Sequence, residues 1–404
     1  MNSPPVINQA TPASPPETTA PAPEAMERKP PQLAKAPPTG RMFPCGKCGA
    51  KLEYDPAQRN LKCPYCGHEE VIAPGQLAGN AELDLEGFLR GAQIDAQAAA
   101  SGKLQEVKCP GCGASQEVSD LYITTACKFC STHLVHEPES ARKLVFPELV
   151  LPFMIPQRDA VTRFNGWVKA LWFAPNDLTQ FANLGRLRGM YMPFWTYDAM
   201  TYSAYTGQRG DDYWVTVSYT VTVNGRTEHR TRQERRTRWT WVSGEVDNFF
   251  DDVLVCGSQI LPTEMVDKLS PWELRKLVPY KPDYLSGFDS LRYQISLHTG
   301  FQRAREIMAA AIRELCKRDI GGDHQVVSTV NTQYVGVTFK HLLLPIWVAT
   351  YQYHNKTYRI LVNAQTGEVV GSRPYSWIKI TLAVLAGLVL VAVIIGIFAL
   401  MAQK

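Results

Sequence analysis

Eight cysteines stand in two tetrads of identical spacing, and thiolates so spaced do one kind of chemistry well: they hold a metal ion. Cys45, Cys48, Cys63 and Cys66 read C-x2-C-x14-C-x2-C, and Cys109, Cys112, Cys127 and Cys130 repeat the pattern with the same gaps. A structural zinc ion takes four ligands at the corners of a tetrahedron, with Zn–S bonds of about 2.3 Å. Two residues between paired cysteines let one tight turn present both sulfurs, and the longer spacer leaves room for a short hairpin that delivers the second pair. Gly46, Gly49 and Gly67 bracket the first tetrad. Cys63-Pro64-Tyr65-Cys66-Gly67 and Cys109-Pro110-Gly111-Cys112-Gly113 are knuckle phrases in which glycine supplies the positive φ the turn requires. Each tetrad is expected to bind its own ion, because interleaved ligands would close much longer loops. Two structural Zn2+ per chain follow, both coordinatively closed and unable to activate water. The alternative, a set of disulfides, calls for an oxidising compartment. Residues 1–40, rich in proline and alanine, lack the basic start and apolar stretch of a secretory signal. His68, His133 and His136 follow the tetrads and are expected at the surface, whereas Cys256 and Cys316 are expected in buried packing.

Other reactive patterns are sparse. The chain contains no H-E-x-x-H, G-x-S-x-G, Rossmann glycine pattern or phosphate-cradling G-x-x-x-x-G-K-[ST] loop. No enzymatic activity is expected, and no small-molecule substrate is indicated. Asp211-Asp212 and Asp251-Asp252 are paired acids, but neighbours on a strand point to opposite faces. They are expected to be surface or capping groups.

The elements that position these residues are read from periodicity. Val215, Val217, Tyr219, Val221 and Val223 alternate with threonine and serine at strand period, and Asn224-Gly225 supplies a turn. The return strand carries six arginines between Arg226 and Arg238, against Glu228 and Glu234. A two-residue loop would set Arg230 and Arg232 opposite the valine face. A three-residue loop would set them opposite threonine and serine, leaving one face apolar, with Trp239 and Trp241 on it, and gathering Arg230, Arg232, Arg236 and Arg238 on the other. The second register is preferred because it segregates the faces. Such a basic hairpin, over residues 214–242, suits nucleic-acid phosphate, anionic headgroups or an acidic protein surface. Equally, its arginines could pair with the hairpin's own acids.

Two longer helices are expected, over about Asp159 to Ala170 and about Gly300 to Arg318, and a short amphipathic one through Leu83, Leu85, Phe88, Leu89 and Ile94 into residues 97–100. Tyr358 to Val362 and Glu368 to Gly371 read as a hairpin. Leu151-Pro152-Phe153, Met192-Pro193-Phe194-Trp195 and Leu344-Pro345-Ile346-Trp347 echo one another as a degenerate repeat.

At 404 residues the chain has room for several domains, and its net charge of +4 is too small to define a partner class. Ile380 to Ala402 is almost unbroken in apolar residues, with Lys379, Tyr375 and Trp377 at one edge. About 20 such residues cross a bilayer, and aromatic residues sit at its interface. The fold class expected is α+β: two small zinc-binding ribbons, a mixed α+β domain with antiparallel hairpins, and one C-terminal transmembrane helix. The boundaries are a disordered tail over 1–40, the first ribbon over 41–74, a linker with a short helix over 75–102, the second ribbon over 103–139, the α+β domain over 143–372 and the span over 378–402. Reduced thiols and positive-inside counting through Arg373 and Lys379 place the globular part in the cytoplasm, held to the inner or plasma membrane by a single pass.

Several phrases carry a family resemblance. Tyr191-Met192-Pro193-Phe194-Trp195-Thr196-Tyr197-Asp198, Ser243-Gly244-Glu245-Val246, Phe249-Phe250-Asp251-Asp252-Val253, Leu277-Val278-Pro279-Tyr280 and Arg373-Pro374-Tyr375-Ser376-Trp377 are distinctive. With the cysteine tetrads and the terminal span, the chain after about residue 40 resembles a bacterial family of tail-anchored, transcription-factor-IIB-type zinc-ribbon proteins. Some relatives bear labels that refer to the primosomal replication helicase, a motor this chain lacks the phosphate loop to run. The resemblance implies protein partners of phage-shock or stomatin-like type in membrane-stress assemblies. The expectation is a membrane-anchored zinc-binding adaptor; the alternative is a membrane-tethered nucleic-acid binder using the ribbons with Arg230, Arg232, Arg236 and Arg238.

Overall fold

The computed structural model describes residues 43–73, 82–91, 99–109, 112, 114–135, 144–175, 187–223, 226–353 and 356–402. The proposed tail over 1–40 and His136 lie outside them. In chain order the strands are β1 (Glu53–Asp55), β2 (Asn60–Lys62), β3 (Glu69–Glu70), β4 (Leu83–Asp84), β5 (Leu104–Lys108), β6 (Ser115–Ser119), β7 (Tyr122–Ala126), β8 (His133–Val135), β9 (Leu149–Val150), β10 (Arg188–Val223), β11 (Arg226–Cys256), β12 (Val278–Pro279), β13 (Asp289–Leu291), β14 (His324–Tyr353), β15 (Lys356–Asn363) and β16 (Val369–Gly371). The helices are α1 (Leu85–Gly91), α2 (Gln157–Ala170), α3 (Thr263–Asp267), α4 (Leu297–Ile320) and α5 (Trp377–Ala402). The fold is α+β with antiparallel hairpins, as the residue pattern implies.

Three very long strands organise everything else. β10 pairs antiparallel with β11 on one side, from Phe194↔Cys256 to Val223↔Arg226, and with β14 on the other, from Arg188↔Val348 to Gly210↔His324. β14 in turn pairs with β15, and β15 with β16. Pro193 and Pro345 are tolerated here although proline cannot donate to a ladder. The repeated phrases meet in this region: Met192 pairs with Leu344, and the Leu151 N–H donates to the Leu343 carbonyl at 2.9 Å. Phe153, Trp195 and Trp347 are all buried, and the three phrases distribute their side chains over separate buried clusters on the two faces of the sheet.

The 24 residues of α4 cover one face of the three-stranded region. Its buried side chains, Leu297, Gly300, Ala304, Met308, Ile312, Cys316 and Ile320, recur every three or four residues. Ser296 caps the start, accepting from the Thr299 N–H, and Gly321 ends the helix at φ 63°. Contact is close at Gly300, where a Cβ would stand 2.5 Å from the Tyr197 hydroxyl. Tyr197 donates to the Leu297 carbonyl at 2.7 Å and Trp195 Nε1 to the Ile295 carbonyl at 2.9 Å, fixing the helix in register with the sheet.

Several expectations change. Of the helix expected between the tetrads, α1 is described; Leu83 lies in β4, which pairs with β14, and Ala99 and Ala100 are not helical. Residues 92–98 of that expected helix lie outside the described ones. The basic hairpin adopts the other register. Val223 pairs with Arg226, so two residues join the strands, and Arg230 and Arg232 stand opposite Tyr219 and Val217. The four arginines do share a face, but with the valines and tyrosines, while Trp239 pairs with Gly210 on the reverse face. The segregation argument fails because this part of the hairpin has no buried face to protect.

Candidate metal centres and projecting arm

Each cysteine tetrad gathers into one group whose sulfurs all lie within 4.8 Å of one another. In the first, Cys45 and Cys66 are 3.6 Å apart, as are Cys48 and Cys63. In the second, Cys109 and Cys130 are 3.7 Å apart and Cys112 and Cys127 are 3.9 Å apart. A tetrahedron with metal–sulfur bonds of about 2.3 Å has edges of about 3.8 Å, whereas a disulfide needs sulfurs at about 2.05 Å. All ten cysteines are free thiols. The donor sets therefore fit a metal ion, each tetrad its own. In each pair the first cysteine is buried and the second exposed, which puts the knuckle tips in solvent.

The backbone prepares the thiolates. Lys47 N–H donates to Cys45 Sγ at 3.4 Å and Phe129 N–H to Cys127 Sγ at 3.5 Å. The Cys66 and Tyr65 backbone amides lower the Cys63 thiol to about 7, and the side chain and backbone of Thr132 lower Cys130 to about 6. Hydrogen bonds to the charged form favour it, the state a metal requires. In the same tetrads the Ala50 and Ala114 amides lower Cys48 and Cys112, but neighbouring thiols and burial outweigh them and raise both to about 12.

Neither ribbon stands free. Tyr54 of the first packs edge-on against Tyr284 and Phe288, its N–H donates to the Ser286 carbonyl at 3.0 Å, and its hydroxyl reaches the Phe153 carbonyl at 3.4 Å. Cys45 and Cys63 belong to the same buried cluster as Phe153 and Trp347. The second ribbon joins the main sheet directly, with β7 pairing with β13 through Thr124 and Ser290. A cleft between the ribbons and the body is lined by Lys51, Glu53, Thr132, His133, Ser286 and Gly287. There the Lys51 ammonium donates to the Ser131 carbonyl at 3.4 Å, tying one ribbon to the other. His133 is half-buried in this cleft, not at the surface, with Asp289 at 3.9 Å; burial holds its imidazole below the ordinary range. His68 lies 3.5 Å from Glu70, away from any ligand role. Cys256 and Cys316 are buried, as their surroundings implied.

The acids also rearrange. Register shifts opposite Asp198 and a left-handed Asp252, at φ 52°, bring Asp198, Asp251 and Asp252 together, correcting the expectation that adjacent acids diverge. The Lys340 ammonium fills this cluster, 2.7 Å from Asp252, 3.6 Å from Asp198 and 3.2 Å from Glu82. Burial alone would lower that ammonium, but the three carboxylates more than reverse it. The result is an ion network where the long strands leave the body.

Beyond this neck the strands form an arm. Its first part is three-stranded with α4 on one face; the other face exposes Phe249 (62 %) and Trp241 (70 %). Past Gly210 only β10 and β11 continue, and at about 3.3 Å per residue the ribbon from Gly210 to Val223 spans roughly 40 Å. Arg230 pairs with Glu228 at 3.0 Å and Arg236 with Glu234 at 3.9 Å. Arg232 and Arg238 instead lie over Tyr219 and Tyr213, each 5.8 Å from the ring centroid. Asp212 binds Arg235 at 3.4 Å and His324 at 3.2 Å on the other face. Of the four candidate arginines, Arg230 and Arg236 are thus ion-paired within the hairpin.

One described helix is long and apolar enough to cross a membrane: Trp377–Phe398, with mean hydropathy 3.0 and none of it buried against the protein. Thr381 bonds back to the Trp377 carbonyl at 2.9 Å, and the Lys379 ammonium, in the first turn, donates to the Ala174 carbonyl, so from Leu382 to Phe398 no polar side chain interrupts the helix.

No protein-family model matches the chain, and no solved structure matches it. Among curated proteins the chain is similar to the uncharacterized protein YdjG of Bacillus subtilis (strain 168), at 25% identity over 243 residues, or 57% of this chain. The match covers 64% of that relative, so the chain spans less than two thirds of its length.

Proposed function

We propose that the protein is a membrane-anchored adaptor, tail-anchored in the inner or plasma membrane, whose cytoplasmic body is ordered by two structural zinc ions and whose arm meets protein partners away from the bilayer. The observation that supports this most is the arm itself. Ser372, just before α5, donates to the Arg359 carbonyl, and Arg359 pairs with Thr350 on β14. From Thr350 to His324 and on through Gly210 to Val223, the strands run a contour of roughly 130 Å at about 3.3 Å per residue. The outer part of that contour, from the neck at Lys340 to Val223, bears exposed aromatics and arginines, which suits reaching a partner. Zinc suits thiolate tetrads of this geometry, and a closed tetrathiolate site contributes folding energy without chemistry.

Crosslinking in intact membranes, followed by detergent extraction, tests the adaptor reading. The comparison is the full chain against a variant in which residues 211–238 are replaced by an Asn-Gly turn joining Gly210 to Trp239. Loss of crosslinked proteins with metal content unchanged supports the arm as the docking element, while an unchanged set of partners removes it from that role.

The nucleic-acid reading is favoured by one feature, the alignment of Arg232 and Arg238 with tyrosine rings on a two-stranded ribbon, a shape that enters a major groove. It predicts an affinity for DNA or RNA that falls steeply with salt and flattens in the Arg232→Ala, Arg238→Ala double variant.

A further inference from the structure

We infer that Trp172 and Phe173 form a second membrane contact, an aromatic wedge that enters the bilayer interface beside the first turn of α5. The inference rests on α5 being a membrane span and specifies where on the body the membrane lies. It starts from α2, whose buried residues Ala160, Phe164 and Val168 fix it to the body. Its Trp167 packs at Gly371, where a Cβ would stand 2.8 Å from the indole, so the helix sits on the hairpin that leads into α5. After Ala170 the chain turns tightly, with Leu171 N–H bonded to the Val168 carbonyl and Ala174 N–H to the Leu171 carbonyl.

This turn is bolted to the start of the apolar helix. The Ser376 N–H donates to the Phe173 carbonyl at 2.8 Å, and the Lys379 ammonium donates to the Ala174 carbonyl at 2.7 Å. The backbone at 173 and 174 is therefore level with the turn where α5 begins. At that level the Trp172 ring is 83 % exposed and stacked on the Phe173 ring, with centroids 6.0 Å apart. Trp377 and Ile378, on the helix itself, are exposed at 81 % and 75 %. Three large apolar side chains from two separate segments thus stand bare beside one turn, with Phe173 partly exposed, at 36 %, beneath Trp172. Indole rings favour the headgroup zone, where an apolar body and a polar N–H are both accommodated. Continuity with α5 selects the bilayer as the occupant. A single helix leaves a body free to tilt, and a second contact off its axis restrains that tilt.

The test uses the full chain in phosphatidylcholine–phosphatidylglycerol liposomes. An environment-sensitive fluorescent amino acid is placed by codon suppression at position 172, 388 or 220, and quenched by lipids brominated at shallow or deep acyl positions. Folding of each labelled protein is checked by its metal content. The expected result is a blue-shifted label at 172 quenched most by shallow bromines, a label at 388 quenched most by deep ones, and a label at 220, on the arm, unquenched. A deep 388 with an unquenched 172 overturns the wedge while leaving the span intact, whether the 172 emission is red or is blue because protein covers the site. An unquenched 388 refutes the span and the wedge with it.

Discussion

Sulfur chemistry was the most legible part of the chain, because C-x2-C spacing constrains local geometry and the structure needs little more than local turns to satisfy it. What spacing could not convey is what the ribbons rest on. Tyr54 meets Tyr284 and Phe288 across more than two hundred residues of sequence, and no local pattern announces such a contact. Tyr54→Ala should cost about 3–5 kcal/mol, in line with large aromatic truncations in cores, read as earlier denaturant unfolding with faster hydrogen exchange in the first ribbon. Unchanged protection there would mean that the ribbon is held by other contacts. Two buried titratable groups make a pH prediction. Burial lowers His341 from 6.5 to about 4, so it withdraws stability as pH falls from about 6.5 toward 4. Burial raises Glu148 from 4.5 to about 7, so its stabilising protonated state is lost as pH rises from about 4.5 through 7. Their slopes oppose one another between about 4.5 and 6.5, each amounting to at most about 1.4 kcal/mol per pH unit. Glu148→Gln removes one of them. Its unfolding free energy should fall toward acid more steeply than the parent's over that window, and parallel profiles would contradict the assignment.

At the scale of elements, alternation identified the strands of the arm, while the turn expected at Asn224-Gly225 lies outside the described residues. Register was the harder inference. Segregating apolar from charged side chains decides a register only where one face is buried, and the arm beyond Gly210 is largely exposed on both. Helix α4 was recognised from its stripe, yet its start at Leu297 depends on the Ser296 cap and on the Tyr197 and Trp195 bonds from the sheet. The bulge that unites Asp198 with Asp251 and Asp252 was invisible, since it arises from a mismatch among three strands. The register is testable by paired cysteines. Residues directly opposite in antiparallel strands have Cβ atoms about 4.5–5.5 Å apart. The double variant Val217→Cys, Arg232→Cys should therefore oxidise to a disulfide faster than Ser218→Cys, Arg232→Cys. The reverse order would restore a three-residue loop.

The described residues make up a body that carries both cysteine tetrads, a long apolar helix and a projecting two-stranded arm. The modules are fused: β7 joins the main sheet, β4 pairs with β14, and Lys51 bridges the ribbons. Fusion follows from size, because ribbons of about thirty residues bury too little surface to stand alone. With α5 in a bilayer, alkaline washing should leave the protein in the membrane fraction and detergent should release it; release by alkali would place α5 elsewhere. On the function proposed above, two metal ions order this body, and native mass spectrometry of the detergent-purified chain counts them. Two zinc ions per polypeptide are expected, falling to one in Cys63→Ser and to one in Cys127→Ser. A folded body carrying fewer than two ions, or none, would contradict that proposal.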